Sequence, residues 1–226
     1  MFAGTGKDMT RLVLASGSPR RRELLRLLGL PFDVTEPPTD EGEVRGSDVS
    51  RQAAQLAQSK ALSVAAQNPA DVIVAADTVV VLRGVVMGKP ADAPSAREML
   101  EVLRGQEHLV ISGLAVVHPC SSPPSVRAVE TRVWMRDYGD HEIEAYIARR
   151  EPFDKAGAYA IQDRHFQPVE RIEGCYANVM GLPLCHLFKT LSRADFPALV
   201  SPVSGCENLT GRTCPVAGTI LASRSH

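Results

Sequence analysis

The stretch DVIVAADTVVVL at residues 71–82 decides the architecture of the chain. It is β-branched and almost entirely apolar, so it predicts a strand that is buried on both faces. Asp77 lies in its middle, and a carboxylate in such surroundings is costly unless it is paired, hydrogen-bonded or metal-bound. Asp77 is therefore a candidate general base or metal ligand; the alternative is a strand end where it caps a turn. Thr78 points to the opposite face, so the two share a site only if a bulge or twist intervenes.

Shorter elements are predicted on either side of this strand. A helix opens at Ser18-Pro19, because serine is a good N-cap and proline suits the first helical position. Arg83-Gly84 predicts a hairpin turn into a strand at 85–87. The other predicted strands are 11–16, 32–34, 108–117 and 126–136, and the other predicted helices are 47–66, 95–103, 140–149 and 182–191. Hairpins replace several crossovers, which favours a mixed α/β fold over a doubly wound parallel sheet.

The composition indicates one domain and excludes several function classes. The 226 residues suit a single domain at 11–196, followed by a Ser-, Gly-, Thr- and Pro-rich segment at 197–226 that predicts a flexible tail. Lys and Arg total 25 against 26 Asp and Glu, and aromatics make up 5%, which argues against a nucleic-acid surface. No apolar run reaches the ~20 residues that span a bilayer. The five cysteines form no CxxC pair, so we expect a cytoplasmic protein with reduced thiols and no membrane partner.

A basic turn follows the first predicted strand. In SGSPRRR at 16–22, three arginines fall in the first turn of a helix, where the macrodipole disfavours positive charge. An anion bound between them and the free backbone N–H groups removes that conflict, and phosphate is the natural candidate. A solvated basic turn is an equally good interpretation of the spacing alone.

Lysines and acidic residues in loops give weaker signals. Lys89 is held between glycine and proline just after the hairpin, close to the strand that carries Asp77. Lys60 and Lys155 also precede small residues, although a lone lysine is usually a solvated surface residue. Glu41 lies in an acidic loop, and its sequence context alone predicts a solvated side chain too. The sequence has no HExxH zinc motif, P-loop, G-x-S-x-G elbow or dinucleotide fingerprint.

Eight segments occur together and in order along the chain. They are LASGSPRRRELLRLLGL (14–30), the Asp40-Glu41 pair, SKA (59–61), AADTVV (75–80), GKP (88–90), LRGQEHLVISGLAV (103–116), EPFDKAGAYAIQD (151–163) and GCYANVMGLPL (174–184). Over about residues 11–193 the chain thereby resembles the Maf family, the septum-formation-inhibitor-like nucleotide pyrophosphatases. The resemblance implies an α/β fold with a twisted mixed sheet flanked by helices, and two lobes around a cleft, similar to inosine triphosphate pyrophosphatases.

The resemblance also implies an activity and a set of site residues. The family hydrolyses a nucleoside triphosphate to the monophosphate and pyrophosphate with a divalent metal, Mg²⁺ or Mn²⁺. The resemblance also implies a homodimer. Asp77 matches the general base, and Lys89 the second catalytic position. The substrate-binding positions are Ser18, Arg20, Arg21, Lys60, Thr78 and Gln162, of which Thr78, Gln162 and Arg20 are linked to base selection. Glu41 and Asp77 match the metal site.

The form DKAGAYAIQ resembles the branch that acts on dTTP and UTP in cleaning the nucleotide pool. Asp163 stands where the family usually has glycine, and because it adjoins Gln162 it leaves the pyrimidine preference open. Two alternatives remain: a 7-methyl-GTP pyrophosphatase, and a regulator of cell division that binds nucleotide without turnover. The intact set of Asp77, Lys89 and Arg20 argues against the second.

Overall fold

A seven-stranded mixed sheet forms the centre of this computed structural model, which describes residues 10–38, 44, 48–193 and 199–223. The strands are β1 (Leu12–Leu14), β2 (Asp33–Val34), β3 (Val72–Leu82), β4 (Val85–Met87), β5 (Glu107–His118), β6 (Ser121–Met135) and β7 (Val169–Glu173). Their order is β2-β1-β3-β5-β6-β7, with β4 also paired to β3. The β2-β1-β3 pairs are parallel and the others antiparallel. The predicted α/β class with a mixed sheet is confirmed.

Helices flank the sheet. They are α1 (Pro19–Arg26), α2 (Val49–Ala65), α3 (Ala93–Leu103), α4 (Asp140–Ala148), α5 (Tyr176–Met180), α6 (Leu184–Arg193), α7 (Pro202–Thr210) and α8 (Ala217–Ala222), with 3₁₀ turns at Pro152–Asp154 and Ala156–Ala158. Within the described residues, no helix combines the length and the apolarity that crossing a bilayer requires.

The central strand β3 is buried on both faces, as its sequence predicts. Ile73 and Ala75 pack on one face among the small apolar residues of α2. Val74 and Ala76 pack on the other face, in the cluster that holds the apolar sides of α1, α5 and α6. Successive residues of β3 therefore belong to different layers, and this period of two places Asp77 on the α2 face and Thr78 on the α1 face.

Helix α2 lies unusually close to the sheet at Gly113. This glycine is the β5 partner of Asp77, and a Cβ atom there would overlap the backbone carbonyl of Ala53 in α2. Ala53 and Lys60 are seven residues apart, so they share one face of the helix. Because Gly113 has no side chain, α2 can pack closely against the sheet, and Lys60 on the same helix face then reaches Asp77.

The segment predicted as a flexible tail is folded where the structure describes it. Residues 199–223 carry α7 and α8, and Leu199, Cys206, Leu209 and Val216 pack against the cluster shared with α1 and α6. Lys189 of α6 donates a hydrogen bond of 2.8 Å to the carbonyl of Ile220. The composition was misleading because a few apolar residues, spaced among many small polar ones, are enough to dock two short helices.

This C-terminal segment and the main domain enclose a mostly apolar cavity of about 240 Å³. Its lining includes four cysteines, Cys175 and Cys185 from the domain and Cys206 and Cys214 from the segment. They converge from distant parts of the sequence because α7 and α8 fold back onto α5 and α6.

The contact at Gly113 gives a stability prediction. Gly113→Ala forces α2 away from β5, and overpacking of this kind costs about 1–3 kcal/mol or more. We expect a lower midpoint of urea unfolding with an unchanged slope. Gly218→Ala in α8 is the matched control, because a Cβ atom there meets nothing within 4 Å. Equal midpoints for Gly113→Ala and the parent protein would contradict the proposed close fit.

Candidate functional site

The edge of β3 is interrupted, and the interruption opens a cleft. Strand β1 pairs with β3 only as far as Val74, and β4 begins to pair at Val80. Between these two positions, no strand among the described residues covers this edge of β3. Asp77 and Thr78 lie in the gap, so side chains on opposite faces of one strand reach the same space. No bulge is needed to bring the two together.

The cleft holds a cavity of about 750 Å³. Its lining includes all of the predicted site residues that the structure describes: Ser18, Arg20, Arg21, Lys60, Asp77, Thr78, Lys89 and Gln162. Glu41, the remaining one, lies outside the described residues. The geometry thus brings the predicted set together, and the role of each residue stays a prediction.

Asp77 is paired with a buried lysine. Lys60 Nζ donates a short hydrogen bond to Asp77 Oδ1, and the two side chains are only 8% and 13% exposed. Removing one partner of such a pair leaves an uncompensated buried charge, which costs about 3–5 kcal/mol. The lysine explains how a carboxylate is tolerated in so apolar a strand, and it holds that carboxylate at the cavity wall.

Arg21 ties the first turn of α1 to the other face of β3. Its guanidinium donates to the carbonyl of Gly181 at 2.9 Å, to Ser16 Oγ at 3.1 Å and to Thr78 Oγ1 at 3.2 Å. Thr78 Oγ1 lies 2.8 Å from Ser112 Oγ in β5. These contacts fix Thr78 and Arg21 in one polar network, and they keep the N-terminus of α1 at the mouth of the cavity.

Arg20 reaches across the cleft to the 3₁₀ turn that starts the EPFDKAGAY segment. It donates to Asp154 Oδ2 at 2.8 Å and to the carbonyl of Asp154 at 3.2 Å. Buried Lys155 donates to Asp154 Oδ1 at 2.5 Å. Partial burial raises the pKa of Asp154, but Lys155 and Arg20 lower it by more, so the net shift is downward. Asp154 was missed from the sequence, where only the neighbouring lysine stood out.

Two further predicted residues approach the cavity from its far side. Lys89 is exposed just after β4, in a loop anchored by the hydrogen bond of 3.0 Å from Gly157 N to the carbonyl of Gly88. Gln162 is half-buried, and its Oε1 is buried without a hydrogen-bond partner in the described structure. A buried acceptor in this state gains a hydrogen bond if rotation of the amide brings it to the cavity surface, where a ligand donor can reach it.

A neutral histidine supports the cavity wall from behind. His108 Nε2 lies 2.8 Å from the hydroxyl of Tyr159, which lines the cavity, and burial lowers the pKa of His108 to about 4. The same burial raises the pKa of Tyr159 far above its usual range. Both groups are uncharged at neutral pH, so this wall of the cavity is polar without being ionic.

The donor set suits a metal that arrives with its substrate. Among the described residues, no three His, Cys, Asp or Glu side chains converge as metal ligands. Asp77 and Glu36, both carboxylates, line the cavity among its cations. Mg²⁺ usually takes only one or two carboxylates and completes its shell with phosphate oxygens and water, so these residues fit such an ion.

Comparison with known proteins places the chain in a family. The family described as Maf-like protein matches residues 11–194. A relative from Thermomicrobium roseum named dTTP/UTP pyrophosphatase is 46% identical over 215 residues, which are 95% of this chain and 97% of the relative. One of the same name from Pelotomaculum thermopropionicum is 43% identical over 191 residues, 84% of this chain and 100% of the relative. The chain therefore belongs to the Maf-like family.

A solved structure is similar at greater distance. The HAM1 protein from Coxiella burnetii is 17% identical with a TM-score of 0.39, and the match covers 57% of this chain and 75% of that one.

The buried His108 predicts acid sensitivity. Its pKa is about 4 in the folded protein against 6.5 for an unperturbed histidine, so only the unfolded chain gains its proton readily between these values. The free energy of unfolding should therefore fall as the pH drops from 6.5 towards 4, with His108 contributing up to about 3 kcal/mol.

Urea unfolding at several pH values measures this loss. His108→Gln should reduce the pH dependence between 6.5 and 4 without abolishing it, because burial also lowers the pKa of His186 to about 4, whereas His165→Gln, at an exposed position, should leave it unchanged. The same slope in all three proteins would show that His108 is not buried in its neutral form.

Proposed function

We propose that this protein hydrolyses dTTP, UTP and related pyrimidine nucleoside triphosphates to the monophosphate and pyrophosphate, a nucleotide-pool cleaning activity. The observation that carries the proposal is the cavity in the gap of β3, whose described lining has more basic side chains than carboxylates. The basic side chains are Arg20, Arg21, Lys60, Lys89 and Lys155, and the carboxylates are Glu36, Asp77 and Asp154. This excess of positive charge suits a polyanion that must be held while water attacks it. The names of the relatives supply the choice of dTTP and UTP.

The phosphates would bind at the N-terminus of α1. Free backbone N–H groups point out of the first turn there, and Arg20 and Arg21 stand beside them. Lys89, on a loop across the cavity, would approach the phosphates from the opposite side. Together these groups stabilise the charge that develops on the phosphates as the bond breaks.

Asp77 would act on the attacking water. As the water oxygen bonds to the α-phosphorus, Asp77 accepts a proton from it, and the bond from that phosphorus to the α–β bridging oxygen breaks. Pyrophosphate leaves with the bridging oxygen, and the monophosphate keeps the oxygen of the water. Lys60 orients the carboxylate through its hydrogen bond to Oδ1.

We also propose a divalent metal, Mg²⁺ or Mn²⁺, and a homodimer, both supported by the family resemblance. When bound, the metal supplies Lewis-acid stabilisation of phosphate charge. Asp77 and Glu36 are the described residues that would hold it, and the resemblance implies Glu41 beside Asp77. Light scattering coupled to size-exclusion chromatography tests the homodimer.

A nucleotide panel tests the activity. Purified protein is incubated separately with dTTP, UTP, CTP and 7-methyl-GTP, with Mg²⁺ or Mn²⁺, and pyrophosphate is measured. We expect turnover of dTTP and UTP, and a loss of about 10²–10⁴-fold in Asp77→Asn. Asp137→Asn, an exposed carboxylate outside the cavity, is the matched control and should retain full activity.

The panel also separates the alternatives. A preference for 7-methyl-GTP over UTP supports the other branch of the family, and nucleotide binding without turnover supports a regulator. Raising the metal concentration distinguishes the roles of Asp77, because a lost metal ligand is partly compensated by excess metal and a lost general base is not. Full activity in Asp77→Asn would reject the mechanism.

A further inference from the structure

The turn that follows Gln162 is held by an ion pair outside the cavity. Arg149, directly after α4, donates two parallel hydrogen bonds to Asp163, from its two terminal nitrogens to the two carboxylate oxygens, each 3.0 Å long. Such bidentate pairs fix orientation as well as distance. The Asp163 side chain is only 7% exposed, so solvent screens this pair less than an ordinary surface ion pair.

Asp163 also organises the backbone around it. Its Oδ1 accepts hydrogen bonds from the backbone N–H of His165 at 3.0 Å and of Phe166 at 2.6 Å. Its own N–H donates to the carbonyl of Ala160 at 3.2 Å, and its carbonyl accepts from the N–H of Gln167 at 3.1 Å. One residue thereby ties together the whole turn at 160–167.

Aromatic rings hold the other side of the ion pair. The Arg149 guanidinium lies over the ring of Tyr146, 5.3 Å from its centroid. Tyr146 stacks on Phe166, with the ring centroids 4.6 Å apart and the planes at 24°. Because the N–H of Phe166 is bound by Asp163, these four residues form a closed ring of contacts. Each member restrains the next, so the turn has little freedom to shift.

This arrangement fixes the position of Gln162 at the cavity. It precedes Asp163 directly and lines the cavity, and its buried Oε1 lacks a hydrogen-bond partner among the described residues. An acceptor in that state discriminates strongly between ligand groups, because a donor satisfies it and a second acceptor leaves both unsatisfied. The hydrogen bond that Gln162 can accept depends on the position of its side chain, since a displacement of the turn by about 1 Å would remove it.

We propose that Arg149 and Asp163 are positioning residues for base recognition: they fix the turn at 160–167 so that the Gln162 amide, once rotated towards the cavity, offers its oxygen to an N–H donor on the nucleobase. The imide edge of uracil or thymine offers such a donor, and the corresponding ring nitrogen of cytosine does not. This inference rests on the proposed function, because it assumes that the cavity receives a pyrimidine nucleotide.

A binding experiment tests the inference without requiring turnover. The probes are α,β-methylene analogues of UTP and CTP, which resist cleavage at the proposed bond, and inorganic triphosphate, which has no base. Calorimetry with the full chain compares Arg149→Leu and Asp163→Asn with Arg164→Leu, a matched loss of an exposed arginine from the same turn. We expect Arg149→Leu and Asp163→Asn to bind the UTP analogue about tenfold more weakly. The affinity for inorganic triphosphate and for the CTP analogue should change much less.

A double-variant cycle and kinetics complete the test. The double variant should bind the UTP analogue no more weakly than either single variant, because the ion pair acts as one unit. In turnover, KM for UTP should rise with little change in kcat, and the preference for UTP over CTP should shrink. Arg149→Lys, which keeps the charge and loses the bidentate geometry, should fall between the parent and Arg149→Leu.

Three results would overturn the inference. One is an unchanged preference between the UTP and CTP analogues in Arg149→Leu and Asp163→Asn. The second is an equal loss of affinity for inorganic triphosphate, which would show general damage to the site. The third is an equal effect of Arg164→Leu. If the parent protein binds inorganic triphosphate but neither analogue, the proposed function itself fails. Faster hydrogen exchange at the amides of His165 and Phe166 in Asp163→Asn would still show that the ion pair fixes the turn.

Discussion

The site depends on the incomplete edge of β3. A strand buried on both faces normally hides its side chains in two separate layers, and Asp77 and Thr78 would then never meet one ligand. Because the pairing of β1 with β3 ends at Val74 and the pairing of β4 with β3 begins at Val80, both faces of β3 are open to the same space in the gap. The helix N-terminus that follows β1 opens onto the same gap, so a short first strand and a late hairpin partner together create the cavity and supply its anion-binding end.

The balance of charge in the cleft follows from this arrangement. The net charge of −1 shows little of it, because the positive and negative residues cancel over the whole chain. In the described part of the cavity, Asp77 is paired with Lys60, and Asp154 is paired with both Arg20 and Lys155. A polyanion that enters has to compete with these carboxylates for the same cations. The carboxylates therefore offset part of the positive charge of the cleft, and a ligand has to match the geometry of the site as well as its charge.

Much of this fold can be predicted from the sequence. The features that were missed have physical explanations. The apolar run at 71–82 and the Arg83-Gly84 turn predicted β3 and its hairpin correctly, because burial and turn geometry are local requirements. The motifs predicted residues that line one cavity where the structure describes them, yet Asp154 was missed, because its partner Arg20 is 134 residues away and no spacing rule links them. The docking of α7 and α8 was missed for a similar reason. A window of composition averages out the few apolar residues that make the contact.

The cavity between the C-terminal segment and the domain has a chemical consequence. Burial raises the pKa of Cys175 to about 11 and that of Cys185 and Cys206 to about 12, so these thiols stay protonated at neutral pH. The thiolate, and not the thiol, attacks an alkylating reagent, so the three side chains react slowly while the segment is docked. Cys120, by contrast, is exposed in the turn between β5 and β6, and Cys214 is half-buried. A label at Cys120 would lie outside the cavity in the gap of β3, and new labelling at Cys185 or Cys206 would report that α7 and α8 had come away from the domain.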